Sequence, residues 1–189
     1  MAMTKREPTP HKVLLPRARL LTRGKACSFV VQEGRPTSGA ALIPGLNEEG
    51  LLPPGIHDCT LDEIGVVFGR FQKTEQRLKL YQLLRAFVLE AKATPKVLAV
   101  LVDGSFVTSK EMPGDIDVML LVPAGHDWGA ELKPFEYNLF SKKRVQKGYG
   151  FDLVAIASEG SDGYQRYLTF LQQVKGDSSR QKGILRVVL

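Results

Sequence analysis

The chain reads as an α/β (α+β) domain, a small mixed β-sheet with flanking helices. Three features predict this. Residues 97–102, 116–122, 151–157 and 184–189 are apolar runs of strand length. Residues 74–93 and 161–175 repeat apolar side chains at three- and four-residue steps, the period of a helix with one buried face. The resulting order of helix, strand, strand, helix, strand, helix, strand describes a compact mixed sheet with helices on it. A length of 189 residues fits one domain with an appendage, and 43% hydrophobic content supplies a core and excludes wholesale disorder.

The ordered domain is expected to begin near Ile43, which divides the chain at residues 1–41 and 42–189. From Ile43 to His57, Pro44, Gly45, Gly50, Pro53, Pro54 and Gly55 punctuate the sequence too densely for a helix. That stretch reads as extended chain lying across the domain surface. Thr60 with Glu63 offers a capping box for a short helix through 64–68. In the 74–93 helix Leu80, Leu84, Phe87, Val88 and Ala91 share a face, with Arg77, Gln82, Arg85 and Glu90 placed elsewhere. Pro95 ends that helix. Residues 134–147 are a candidate helix before the third strand. The 161–175 helix turns Tyr164, Tyr167, Leu168 and Leu171 inward.

Charge is unevenly placed. Residues 1–41 hold eight basic residues against Glu7 and Glu33, which accounts for the whole formal net charge of +6. The remainder is neutral. This N-terminal extension, rich in Pro, Gly, Ser and Arg, is expected to be flexible, with one short strand or helix near 13–21. Such a tail suits nonspecific attraction to nucleic acid or an acidic partner, or is a solvated extension and even upstream sequence from a misassigned start codon. No window approaches a membrane span, and no apolar core of a secretory signal follows the first residues. Cys27 and Cys59 give neither a disulfide framework nor a zinc pattern. The cytoplasm is the expected compartment.

The chemistry-bearing segment is 101–122. An apolar strand runs into Asp103, Gly104 and Ser105; after nine intervening residues come Asp115 and Asp117 at the mouth of a second apolar strand. Strand period places those two carboxylates on one face. Like charges side by side at the start of a buried strand call for a bound cation, and hard oxygen donors at this spacing suit Mg²⁺ or Mn²⁺. A third carboxylate, Asp152, opens the 151–157 strand, 35 residues after Asp117. Asp103 reads as a loop cap. Lys142, Lys143, Arg144 and Lys147 form a basic run that suits a triphosphate, a nucleic-acid acceptor or a solvated helix face; Arg180, Lys182 and Arg186 invite the same reading. No Ser/His/Asp set suggests a hydrolase, and Trp128 reads as core or rim packing.

Gly-Ser after an apolar strand, a spacer of about ten residues, Asp-Ile-Asp-Val and a later strand Asp together resemble the signature of the DNA polymerase β-like nucleotidyltransferase superfamily. The likeness covers residues 97–156. A wider one, over about 43–189, rests on Asn-Glu-Glu-Gly-Leu-Leu-Pro-Pro-Gly-Ile-His-Asp-Cys-Thr-Leu-Asp-Glu, Leu-Val-Asp-Gly-Ser-Phe-Val-Thr and Lys-Gly-Ile-Leu-Arg-Val. It resembles a family of short bacterial nucleotidyltransferase-like proteins, some found near toxin–antitoxin and phage-defence genes.

The resemblance implies the polymerase β-like fold and transfer of an NMP from an NTP, such as ATP, to a hydroxyl on RNA, protein or a small molecule, releasing pyrophosphate. It implies Asp115, Asp117 and Asp152 as catalytic metal ligands, with Asp152 near the attacking hydroxyl. Gly104 and Ser105, with Lys143 and Arg144, would bind the nucleotide. The domain leaves little room to grip an acceptor, which points to a partner protein or a second copy as a homodimer. The competing expectation is a non-catalytic or regulatory NTP- or partner-binding protein on this fold, such as a toxin–antitoxin or phage-defence component.

Overall fold

Three of the four apolar runs become the centre of a five-stranded sheet because their residues are buried on both faces, and the 151–157 run becomes an edge strand. In the computed structural model, which describes residues 43–70 and 73–189, β2 (Ala99–Asp103) and β3 (Asp117–Val122) lie inside the sheet. The strand order is β1-β7-β2-β3-β4, with β1 at Gly55–Asp58, β4 at Asp152–Ser158 and β7 at Gly183–Val188. β1–β7 and β3–β4 are parallel, whereas β7–β2 and β2–β3 are antiparallel. The α/β architecture predicted from the sequence is the one observed. The expected N-terminal extension and its element near 13–21 lie outside the described residues. Among the described residues no helix is long and apolar enough to cross a membrane.

Strand alternation divides the core into two clusters. Val100, Val102, Val118, Leu120, Leu153, Leu185 and Val187 face one side with residues of helices α1 (Leu61–Val67), α2 (Gln76–Lys92), α3 (Glu136–Phe140) and α4 (Lys142–Tyr149). Ala99, Leu101, Met119, Leu121, Ala155, Ala157 and Ile184 face the other side, where α5 (Asp162–Gln172) contributes Tyr164 and Leu171.

The capping box at α1 forms as expected: Glu63 N–H donates to Thr60 Oγ1 at 3.2 Å, and Thr60 N–H donates to Glu63 Oε2 at 2.7 Å. The segment before it departs from the sequence reading. It is no mere surface strap, because Leu52 is 1% exposed, Gly183 N–H donates to Leu52 O at 2.9 Å, and residues 55–58 form edge strand β1. Proline and glycine hid a strand that is only four residues long. The helix expected over 134–147 is two helices, broken where Ser141 is extended (φ −111°, ψ 114°). The helix expected to reach 175 stops at Gln172, and a short polar hairpin follows, β5 (Gln173–Val174) and β6 (Asp177–Gln181). Its polar sequence carries no period-2 apolar signal to announce it.

Glu136 is the buried polar anchor of this layer, 1% exposed. Its carboxylate accepts hydrogen bonds from Lys133 N–H (2.7 Å), Thr94 Oγ1 (2.8 Å) and Lys96 Nζ (3.0 Å). Burial alone would raise its pKa, but these donors outweigh it and hold the group down at about 2. A depressed folded-state pKa stabilises the protein above the unfolded value, about 4.5, and that stabilisation is lost as pH falls toward 2. Glu136→Gln is therefore expected to lower unfolding free energy at pH 7 by about 1–3 kcal/mol. The gap from wild type should close as pH drops from about 4.5 toward 2. Urea denaturation at pH 7 and pH 3 checks this, and a gap independent of pH would contradict it.

Candidate active site at one end of the sheet

Three neighbouring strands bring carboxylates to the same sheet end. β2 ends in Asp103, and β3 and β4 begin with Asp117 and Asp152. Asp117 is in register with Asp103 on one side and with Asp152 on the other. Residues in register face the same side of a sheet, so the three form a row. Leu101, Met119 and Ala155 continue it into the apolar cluster beneath α5. Asp115, two residues before Asp117, joins the row from the loop. Asp103 is 3% exposed, Asp117 is half-buried, and Asp115 and Asp152 are exposed.

The Gly104–Ser105 turn is folded tightly against this row. Gly104 adopts φ +90° and ψ −176°. A Cβ there would lie 2.9 Å from both Asp115 O and Asp117 N, so only glycine lets the end of β2 approach the start of β3 this closely. Beyond it Ser105–Val107 makes one 3₁₀ turn. The Ser105 hydroxyl accepts from Gly114 N–H at 3.0 Å and donates to Asp115 Oδ1. Phe106 N–H donates to Asp115 O at 3.3 Å, and Asp152 N–H donates to Ile116 O at 3.0 Å. The nine-residue spacer is thus a closed loop that returns Asp115 to Ser105.

The charges are badly matched. Burial first, then the neighbouring carboxylates of Asp115, Asp103 and Asp152, push Asp117 up to about 6, and Lys182 partly offsets them. Asp103 is also raised by burial, with Lys182 pulling it back. The Lys182 ammonium lies 2.5 and 2.6 Å from the two Asp103 oxygens. It enters at the start of β7, fixed by its own N–H on Gln172 O at 2.7 Å.

The loop carrying Ser105 is clamped from behind by Arg77. This side chain is 1% exposed and shares the inward face of α2 with Leu80 and Leu84, where the sequence reading placed it elsewhere. Its guanidinium donates to the carbonyls of Phe68 (3.3 Å), Phe106 (2.8 Å), Thr108 (2.6 Å) and Lys110 (2.5 Å), and stands 5.8 Å from the Phe106 ring centroid. Carbonyl oxygens in place of a carboxylate make burial on an apolar face tolerable.

Asp115, Asp117, Asp152, Gly104 and Ser105 are thus brought together, and Asp103 and Lys182 join them. Lys143 and Arg144 are not part of the group. Arg144 donates to Asn138 Oδ1 at 3.2 Å and lies over the Tyr137 ring, while Lys143 is exposed on the first turn of α4. It is the last turn of α4 that leads to Asp152. Of the other basic residues, Arg186 pairs with Asp58, and Arg180 with Glu49 and Asp177. Arg77 had a sequence signal, since its spacing of three and seven to Leu80 and Leu84 is that of the buried face. Lys182 had none, because it follows an all-polar strand.

Asp115, Asp117 and Asp152 are the residues suited to a metal. As they stand, no three His, Cys, Asp or Glu side chains among the described residues gather closely enough to hold an ion, and one Asp115 oxygen is turned to Ser105. Their chemistry fits a hard divalent cation: all donors are carboxylate oxygens, and after burial, the first cause, the neighbouring carboxylates add to the raised proton affinity of Asp117, a repulsion that a cation would relieve. A more enclosed hollow among the described residues lies elsewhere. It is a groove of about 560 Å³ lined by Cys59, Thr60, Leu89, Lys92 and Val188, at the opposite end of the sheet.

A family of unknown function (DUF6932) matches residues 44–188, most of the chain, and the chain belongs to that family. No curated protein and no solved structure matches it.

A folded-state pKa near 6 lies above the ordinary carboxylate value of 3.8, so folding favours the protonated form of Asp117. Stability contributed by that proton is present at low pH and lost as pH rises through about 6. Asp117→Asn is therefore expected to be more stable than wild type at pH 7, by roughly 1–2 kcal/mol after allowing for solvent around the group. The advantage should vanish below about pH 4, and an Asn variant less stable at pH 7 would contradict the reading. Arg77→Met leaves four carbonyls without their donor and is expected to destabilise the fold by about 2–4 kcal/mol. Hydrogen exchange in the folded variant should accelerate across residues 105–110; protection equal to wild type there would show that Arg77 does not hold the loop.

Proposed function

We propose that this member of a family of unknown function is a metal-dependent nucleotidyltransferase, transferring an NMP from an NTP to a hydroxyl acceptor. The observation that carries the reading is the registered row Asp103–Asp117–Asp152, with Asp115 beside it, set against a glycine turn that leaves backbone amides and a serine hydroxyl at the rim. A purely structural cluster has no use for four carboxylates that disfavour one another's charge.

In this reading Asp115, Asp117 and Asp152 hold Mg²⁺ or Mn²⁺. Such an ion, when bound, neutralises triphosphate charge and lowers the pKa of the attacking hydroxyl. Asp152, exposed at the start of edge strand β4, stands where an acceptor can enter and takes the proton of its hydroxyl. The acceptor oxygen then bonds to the α-phosphorus as its bond to the pyrophosphate oxygen breaks, and pyrophosphate leaves. The amide of Ser105 and its hydroxyl, once released from Asp115, bind the β- and γ-phosphates. Asp117 sets the local charge, and Asp103, already paired with Lys182, holds the end of β2 in place. An enzyme that consumes NTP is at home in the cytoplasm, and a second copy or partner protein would supply acceptor contacts.

One observation favours a second reading. Ser105 satisfies Asp115 and Lys182 satisfies Asp103, so two of the four acids already have protein partners. A regulatory protein that binds nucleotide or a partner without turnover, such as a toxin–antitoxin or phage-defence component, would be content with that closed arrangement.

A transfer assay separates the two. Wild type is incubated with each α-labelled NTP, Mg²⁺ or Mn²⁺, and pooled cellular RNA and protein. Label is expected on one acceptor class, with Asp152→Asn and Asp115→Ala/Asp117→Ala slower by about 10³-fold or more. Folded wild-type protein that labels nothing from any nucleotide would favour the non-catalytic reading.

A further inference from the structure

At the other end of β3, far from the carboxylates, the chain leaves aromatic rings open to water. Trp128 is 61% exposed and Tyr137, on α3, is 47% exposed. They belong to two small sets that meet on α3, where Tyr137 stands three residues before Phe140. Trp128 meets His126 edge-on with ring centroids 4.7 Å apart, and His126 stacks on Phe140 with planes 7° apart at 5.9 Å. Tyr137 carries the Arg144 guanidinium over its ring at 5.9 Å.

The stack of His126 on Phe140 is enough to fasten the loop to α3. Trp128 adds little burial of its own, and its broad apolar face is left for something else to cover. The exposed charge within residues 123–149 is mostly positive, with Glu90 and Glu159 the acids that other elements bring against this segment. Lys133, Lys142, Lys143 and Lys147 are exposed, and among the described residues none of them forms an ion pair. Between 123 and 149 the exposed acids are Asp127 and Glu131 alone, because Glu136 is buried on Lys96.

Open rings interleaved with unpaired cations match a polyanion that also presents flat π-faces. We propose that this surface binds single-stranded nucleic acid. One base stacks on Trp128, another on the Tyr137–Arg144 pair, and the phosphates between them run along Lys142 and Lys143. A duplex hides its base faces, and an acidic peptide offers no rings to the tryptophan, so the aromatic half of the surface selects the single strand. The inference stands on this surface and does not depend on the transfer chemistry. It gives Lys143 and Arg144 a role that their distance from the carboxylates denies them there.

Trp128 is the chain's single tryptophan, so its intrinsic fluorescence reports the platform directly. The full chain is titrated with a single-stranded RNA of about 12 nucleotides and with the matching duplex, by tryptophan emission and by anisotropy of a labelled strand. Saturable quenching is expected, with Trp128→Ala weakening binding roughly tenfold and Trp128→Phe restoring most of it. Lys142→Gln/Lys143→Gln should reduce the slope of log affinity against log salt by about 1.4, two single-strand phosphates. Both variants are at exposed positions, and an unchanged melting temperature confirms that they are folded. Absence of quenching at saturation, unchanged affinity in Trp128→Ala, or equal affinity for the duplex would overturn the assignment.

Discussion

A guanidinium with no carboxylate opposite it holds the site-bearing loop in place. Arg77 enters the core from the second residue of α2 and gathers carbonyls from residues 68, 106, 108 and 110. Those carbonyls have no sheet partner, and without the guanidinium the buried ones of Phe68 and Phe106 would be left unpaired, at about 1–3 kcal/mol apiece. The direction of the loop after β2, and with it the position of Gly104 and Ser105, follows from this one side chain. The close approach at Gly104 then transmits that position to Asp115 and Asp117, because their backbone is what a larger residue would strike.

The row of acids works against the fold that displays it. Burial first, and then the neighbouring carboxylates, push Asp117 up to about 6, and burial raises Asp103 against the pull of Lys182 and the Gly104 amide. The apolar strands tolerate this because the charged residues occupy their ends. In both β2 and β3 every residue beyond the terminal Asp is buried, so the sheet keeps its hydrophobic gain while its rim carries the strain. Register is the second constraint. A one-residue slip of β3 would turn Asp117 and Met119 together toward the cluster under α1–α4 and take Asp117 out of its row with Asp103 and Asp152, so the hydrophobic pattern that fixes the sheet also aligns the carboxylates.

The sequence made the centre of the molecule readable and left its margins obscure, for physical reasons. β2 and β3 announced themselves because double burial demands unbroken apolar residues, and β4 did so as an apolar run although it lies at the sheet edge. The capping box announced α1 because it is a local hydrogen-bond pattern. Asp115, Asp117 and Asp152 were visible as charges interrupting apolar runs. β1 and the β5–β6 hairpin were hidden, one by prolines and the other by an all-polar sequence, since edge strands need little burial. Asp103 looked like a loop cap because its partner, Lys182, lies 79 residues away. Arg77 looked solvent-facing because charge argues against burial, and only the later loop carbonyls reverse that argument. Long-range satisfaction of polar groups is what a linear pattern does not display.

The groove of about 560 Å³ is chemically quiet, which bears on where the proposed reaction would belong. In the groove at the far end of the sheet the acidic groups already have partners. Asp58 is bound by Arg186 at 2.5 and 2.8 Å, and Glu63 closes the capping box. The Cys59 thiol is pushed up to about 12, by burial first and then by Glu63 and Asp58, so it holds its proton at neutral pH and is no nucleophile. Apolar Leu89 and Val188 complete the wall. At the carboxylate end the balance is reversed: little enclosure, but acids whose charges lack adequate partners and a turn whose amides stand at the rim. Volume measures what a ligand could bury, whereas unrelieved charge measures what a bound cation and phosphate could stabilise. For transfer of a highly charged group the second quantity governs, because neutralisation and positioning of that charge supply most of the rate. The shallow rim is therefore the better candidate than the groove.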